Sequence, residues 1–312
     1  MTFRLIKRVI NAVPIVDINE DRYNIIKSSW NTILTLVNIE ESWENVLNNF
    51  VELESDLIRC ALNSMVFSHE GYEEFQDNRL GFARRLLNLL GTTRCYLDHV
   101  PHNLSELKQK NLVYAFKNLT SVEYDAVFEY RFMEALRNYS QHRGLPIHGT
   151  SYHSSWVGDM DDNGDFTKKS KIRYMVTASI NVNKLIKDES FKQKVAEELQ
   201  GLGSDLDVTT CIRRYVEALG RVHMGLRSQL KELIENAVAV LRQAIQDYSG
   251  GDRDLVIGLY AEKLSEAGEL LESVPIIDAL IDRLERLTRR NRGVVNLSRR
   301  YITTEIIQPQ ER

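Results

Sequence analysis

The segment 134-EALRNYSQHRGLPIHG-149 gathers Arg137, Asn138 and His142 into six residues, just ahead of Gly144-Leu145-Pro146. On a helix, Asn138 and His142 are four apart and stack on one face, so the amide can hold the imidazole. Arg137 stands about 140° round from His142 and about 7.5 Å earlier along the axis, within reach of the same small anion. A histidine in the last turn also feels the negative end of the helix dipole, which favours imidazolium. An arginine and a histidine at this spacing can cut RNA. The plain alternative is a polar helix end that sits in water.

Spacing by itself does not choose between them. An arginine followed by a histidine five residues later occurs at Arg94–His99, Arg137–His142 and Arg143–His148. The last pair straddles the expected helix stop, so its side chains have no defined relation. Arg94 and His99 form a credible secondary pair, although Asp98 beside His99 suits a structural hydrogen bond equally well. Asn138 and the position of the pair at a helix end single out Arg137 and His142.

The elements that must position these residues are mainly helical. Apolar residues recur at three- and four-residue steps from about Tyr23, and a second helix is expected from about Glu41. Its acidic face, Glu40, Glu41, Glu44, Glu52, Glu54 and Asp56, reads as a solvated flank. A third helix is expected from Asn78 to about His99, closed by Pro101. Thr120-Ser121-Val122-Glu123 matches a capping box and announces a fourth, with Phe128, Phe132, Leu136 and Tyr139 on one side. Gly144 is placed to end it as a left-handed cap, and Pro146 forbids continuation.

Beyond residue 150 the pattern changes. About 151–182 alternates, is rich in β-branched and aromatic types, and holds Asn163-Gly164, which is a β-hairpin signal. A long helix is expected over about 207–248, with a kink at Gly220 and Gly225, then a helix over about Pro275–Arg290 and a late strand in RRYITTEIIQ. The predicted organisation is a helical domain over 1–150 and a mostly helical region over 151–312 that contains the hairpin.

In this setting R-N-Y-S-Q-H resembles the Rx4-6H signature of the HEPN superfamily, with the polar residue that usually follows the arginine. The flanking blocks NRLGFARRLLNLL…CYLDH and EYRFMEALRNYSQHRGLP resemble a bacterial HEPN-type group associated with phage defence; the likeness covers roughly residues 20–150. The resemblance implies an α-helical bundle that dimerises so that two motifs face one cleft. It implies a metal-independent endoribonuclease, a toxin-like effector that leaves a 2′,3′-cyclic phosphate. His142 would be general acid/base, Arg137 would bind the phosphate and Asn138 would orient His142. Some relatives carry a tyrosine two residues after the histidine as a target for adenylylation; Gly144 stands there, so that mode of control is not supported. Non-catalytic HEPN-like modules for dimerisation or for RNA or protein binding form the alternative. The expected partners are RNA, a second copy and a partner protein or antitoxin; no cofactor and no metal are expected.

Other features set bounds. The net charge is −4, so nucleic-acid binding must come from local patches. One candidate patch holds Arg283, Arg286, Arg289, Arg290 and Arg292, continued by Arg299 and Arg300. It reads equally as a nucleic-acid footprint and as a face that pairs with an acidic surface such as the Glu40–Asp56 flank. Cys60, Cys95 and Cys211 are odd in number and far apart, which argues against a disulfide framework and fits a reducing cytoplasm. Asp159–Asp165 imitates half of a calcium loop, but its twelfth position is Ser170, not glutamate. Cys95, His99 and His102 lack a fourth zinc ligand nearby. No segment approaches the roughly 20 apolar residues of a membrane span.

Overall fold

The computed structural model describes residues 1–8, 13–68, 71–161, 163–167, 170–189, 191–250, 257–291, 293–294 and 296–302. The fold is mainly α with small antiparallel sheets. Its elements in chain order are β1 (Thr2–Lys7), β2 (Ile15–Ile18), α1 (Glu20–Val66), α2 (Tyr72–Glu106), α3 (Lys110–Ala126), α4 (Phe128–His142), β3 (Gly149–Val157) and β4 (Lys171–Asn181). There follow α5 (Val182–Ile186), α6 (Gln193–Leu199), β5 (Asp205–Asp207), α7 (Val208–Ser249), β6 (Leu259–Leu264), β7 (Leu270–Pro275) and α8 (Asp278–Arg290). Among the described residues, no helix is long and apolar enough to cross a membrane.

The chain divides into two compact units that do not follow a single cut at residue 150. The first comprises Met1–Glu52, Leu87–Val122 and Val222–Gly293; the second comprises Leu53–Leu86, Glu123–Arg221 and Val294–Arg312. The physical reason is that α1, α2 and α7 are long enough to contribute to both.

In the first unit, β1 pairs with both β2 and β6, and β6 with β7, to give the order β2-β1-β6-β7. Alternation in β1 buries Phe3 and Leu5, and the Phe3 ring packs on Tyr23 with centroids 5.2 Å apart; Ile26, Trp43, Leu90, Tyr96, Leu241 and Ile281 are buried in the same unit. Glu262 of β6 is buried and accepts hydrogen bonds from Nε and Nη2 of Arg4 at 3.0 and 2.9 Å and from Nε of Arg8 at 3.0 Å.

In the second unit, β3, β4 and β5 form a three-stranded sheet. Val176, Ala178 and Ile180 alternate to the buried face of β4, and Phe82, Leu86, Phe132, Leu136, Tyr139, Leu185, Val195 and Tyr215 are buried in the same unit. The expected hairpin is present with full register from Gly149↔Ser179 to Val157↔Lys171. Its strands are joined by residues 158–170, not by a two-residue turn. The tip is an Asx turn in which Asp161 Oδ1 accepts from the N–H of Asn163 and of Asp165 at 2.9 and 3.0 Å, with Gly164 at φ 84°.

Several boundaries differ from expectation. The first two predicted helices are one, because no glycine or proline interrupts Glu20–Val66. Pro101 lies inside α2, which runs on to Glu106. The apparent capping box falls inside α3, where the Thr120 hydroxyl donates back to Lys117 O at 2.8 Å; α4 starts after Val127, with no side-chain cap. Gly144 is not left-handed. Arg143 ends the helix at φ −130°, ψ −50°, and a Cβ on Gly144 would lie 3.2 Å from the Tyr139 hydroxyl, a tight contact. The helix α7 is continuous through Gly220 and Gly225. These glycines serve close approach: added Cβ atoms would meet Val294 Cγ1 at 2.9 Å and Leu119 Cδ2 at 2.8 Å. Pro275 ends β7, so α8 begins only at Asp278. Of RRYITTEIIQ, Leu297–Arg299 forms a short 3₁₀ turn into its first residue, and Thr303 onward lies outside the described residues.

Candidate active site

The site is built on the last turns of α4. Tyr130, Phe132, Met133, Ala135, Leu136 and Tyr139 bury one side of this helix. The helical period then leaves Asn138, Gln141 and His142 exposed on the other, with Glu134 and Arg137 at the margin. His142 is the final helical residue and has no hydrogen-bond or ion-pair partner among the described residues.

Arg137 is held within its own helix. Its Nη2 donates to Asn138 Oδ1 at 2.8 Å and its Nη1 to Gln141 Oε1 at 3.3 Å. Its Nε lies 3.9 Å from Glu134 Oε2, too far for a hydrogen bond, and is buried without another acceptor. The side chain is 17% exposed. Glu134 is fixed in turn, since the hydroxyl of the fully buried Tyr215 donates to its Oε1 at 2.9 Å. Asn138 therefore supports Arg137 and not, as spacing suggested, His142. Glu134 and Gln141, three before and four after Arg137, were readable as helical neighbours. Tyr215 carried no local signal.

The other arginine–histidine pairs do not converge. Arg94 is taken by Asp98, with Nε–Oδ2 at 2.8 Å and Nη2–Oδ1 at 2.7 Å, and His99 stands exposed beside it. Arg143 lies 3.8 Å from Asp188. His148 turns inward: its Nδ1 accepts from the Asn181 N–H at 3.1 Å, and its Nε2 is buried without a partner. Burial, together with the positive charge of Lys184 and Arg79, lowers its pKa to about 4, so the ring is neutral near pH 7.

The C-terminal arginines divide. Arg283 pairs with Glu41, and Arg290 with Glu44 at 2.8 Å, as the acidic-face reading anticipated. Arg286 and Arg289 are exposed, with no ion-pair partner among the described residues. Arg292 lies outside the described residues. The acidic flank of α1 is not simply solvated. Glu40 and Glu54 are buried; Arg227 clasps Glu40 in the first unit, and in the second Arg213 binds Glu54 at 2.7 and 2.6 Å while Arg85 pairs with Asp56.

Around Glu40 lies a buried polar chain that sequence reasoning missed. His223 is fully buried and stacks on Trp43 with ring centroids 4.9 Å apart. Its Nε2 is 3.3 Å from Glu40 Oε2 and its Nδ1 is 2.9 Å from the Tyr96 hydroxyl. A carboxylate can only accept, so Nε2 carries the proton and Tyr96 donates to Nδ1. Arg227 completes the chain, with Nε on Glu40 Oε1 at 2.7 Å and Nη2 on Oε2. Burial pushes the Glu40 carboxyl up, but bonds from Arg227 and His223 override it and hold it at about 2. Burial also lowers the His223 pKa against the pull of Glu40. Every polar atom of the His223 ring and of the Glu40 carboxylate is engaged within this chain, as in a structural network.

Among the described residues, no group of three or more His, Cys, Asp and Glu side chains is arranged to hold a metal ion. The hairpin tip spends Asp161 on its own backbone, and His102 pairs with Glu106 at 3.4 Å instead of joining Cys95. Comparison with models of protein families, with curated proteins and with solved structures finds no match to this chain.

Proposed function

We propose that this chain is a metal-independent endoribonuclease of HEPN type that works as a homodimer, with the end of α4 as its active face. The observation that carries this reading is the pairing of a braced cation with a free imidazole. Arg137 is braced by Asn138 at 2.8 Å, and His142 is exposed and unpartnered one turn further on. Arg137 would hold a phosphate through its guanidinium and steady the charge of the crowded transition state. His142 would take the proton of the ribose 2′-OH and, as its conjugate acid, supply one to the departing 5′-oxygen. The 2′-oxygen bonds to phosphorus as the 5′-oxygen leaves, which gives a 2′,3′-cyclic phosphate and a 5′-OH. The nucleophile is already part of the RNA, so the scheme requires no metal. A second copy facing the first would enclose the cleft that one exposed helix end lacks. In the cell the enzyme would be a toxin-like effector of anti-phage defence in the cytoplasm, restrained by a partner protein.

The second reading, a non-catalytic helical module, draws on Glu134. Its carboxylate 3.9 Å from Arg137 Nε competes for the charge that a phosphate would need. One experiment separates the two. Purified protein is incubated with RNA in chelator, and product ends are identified. The enzyme reading expects cyclic-phosphate ends, and a loss of about 10²-fold or more in Arg137→Ala and His142→Ala with the fold retained. Intact RNA with wild-type protein, together with variants that keep the biological effect, establishes the module.

A further inference from the structure

In the second unit, the end of α1 and the start of α2 run on past the core. No residue of 61–67 or of 72–81 is fully buried, although these turns hold Leu62, Met65, Val66, Phe67, Tyr72 and Leu80. A helix face turned to water is ordinarily polar or charged. The end of α1 is neither: Arg59 is the only charged residue in 57–68. It lies 3.4 Å from Asp56, so even that charge is balanced within the chain.

The apolar side chains form a stripe. Ile58, Leu62 and Met65 follow at steps of four and three, which sets them within about 60° of one another on the helix. They are 44%, 54% and 52% exposed, and Val66 and Phe67, which end the stripe, are more exposed still. Cys60 meets α2, its Sγ donating to Asn78 Oδ1 at 3.4 Å. Two residues on from Ile58, it stands about 160° round the helix from it, so the stripe points away from α2. Apolar area gathered in one place marks an interaction site more than scattered exposure does.

We propose that a second copy of the chain docks on this stripe, α1 against α1 across a two-fold axis near Leu62, so that Ile58 of one copy packs on Met65 of the other. Two observations select a second copy. The first is charge. A two-fold contact sets the same surface on both sides, and a neutral stripe allows this without opposing like charges. A nucleic acid would find no uncommitted cation in 57–68, and a charged protein would find no counter-charge. The second is area. From their exposure, Ile58, Leu62, Met65, Val66 and Phe67 present on the order of 500 Å², about the apolar share of the roughly 800 Å² that each partner gives to a stable pair. The inference rests on the homodimer of the proposed function and gives it a surface.

The test uses the full chain in analytical ultracentrifugation, with amide hydrogen exchange followed against protein concentration. The wild type is expected to sediment at twice the chain mass at micromolar concentration, with exchange along 58–67 slowed as the pair forms. Leu62→Glu and Met65→Glu each bring a like charge to both sides of the contact and should weaken the dimer at least tenfold with unchanged circular dichroism. Leu270→Glu, at an exposed apolar position of β7, should leave it as it is. A monomeric wild type overturns the proposal, as does a dimer that both stripe variants leave intact or that Leu270→Glu weakens equally. So does a wild type that stays monomeric and binds phosphatidylcholine vesicles through Leu62, which assigns the stripe to a membrane surface. Dimerisation through the stripe without RNA cleavage removes the nuclease reading and keeps this one; RNA cleavage by a protein that stays monomeric does the reverse.

Discussion

Removing the Glu40 carboxylate gives the sharpest test of how the first unit is held together. In Glu40→Gln the side chain keeps its size and can still accept from His223, but Arg227, only 11% exposed, loses its counter-charge. Two routes give the magnitude. A carboxyl held at about 2 instead of 4.5 prefers its charged form by about 3 kcal/mol, at 1.36 kcal/mol per unit. Leaving one member of a buried ion pair uncompensated costs about 3–5 kcal/mol. With unfolding entropy of about 2.1 cal/mol/K per residue over 312 residues, that is a fall in Tm of roughly 5–8 °C. Since the Glu40 pKa is depressed, its contribution is complete above about pH 4.5 and is lost as the pH falls toward 2. Calorimetry of wild type and Glu40→Gln should show the full gap at pH 7 and a closing gap below pH 4.5. A double variant, Glu40→Leu with Arg227→Met, should recover at least half of the loss, because an apolar pair buries no charge. A Tm for Glu40→Gln within 1 °C of wild type at pH 7 would refute the assignment of a compensated buried pair.

Three further outcomes are expected. Tyr215→Phe removes the buried donor to Glu134 and should cost about 1–3 kcal/mol in chemical denaturation, with no loss if that hydrogen bond contributes nothing. Gly91→Ala adds a Cβ that meets nothing within 4 Å and should stabilise α2 by about 0.5–1 kcal/mol, whereas Gly220→Ala drives a Cβ to 2.9 Å from the stiff Val294 and should destabilise by about 1–2 kcal/mol; equal signs in thermal unfolding would show that α7 yields there. His148 should titrate near pH 4 by NMR: its pKa is lowered, so the stability it contributes is complete above pH 6.5 and is lost as the pH falls toward 4, and a midpoint above 6 would contradict its inward placement.

Local periodicity carried the fold as far as local forces reach. Phe132, Leu136 and Tyr139 were legible as the inner stripe of α4 and are buried, and the β3–β4 alternation pairs in full register. What could not be read depends on residues far apart in the chain. The pairing of β1 with β6 joins Leu5 to Ala261, and nothing near either residue announces the other. Glu40 looked solvated because its sequence neighbours are acidic. Arg227 and His223, more than 180 positions away, turn it inward. The candidate site divides in the same way. Gln141 and Glu134 follow from helical spacing around Arg137, while Tyr215 enters only through tertiary packing.

Of the 40 basic residues of the sequence, 26 are arginine, and the meaning of that excess depends on what the arginines bind. An excess of arginine favours fork-shaped contacts with either carboxylate or phosphate. Here the carboxylate forks are within the chain: Arg213 on Glu54, Arg221 on Glu123, Arg227 on Glu40 and Arg131 on Glu198. A cation count along the sequence thus overstates the positive charge left uncommitted to carboxylates of the same chain. Arg137 lies between the two classes. Its Nη groups rest on the neutral amides of Asn138 and Gln141, and Glu134 stops 3.9 Å short at Nε. A carboxylate at that distance orients the guanidinium without consuming its donors.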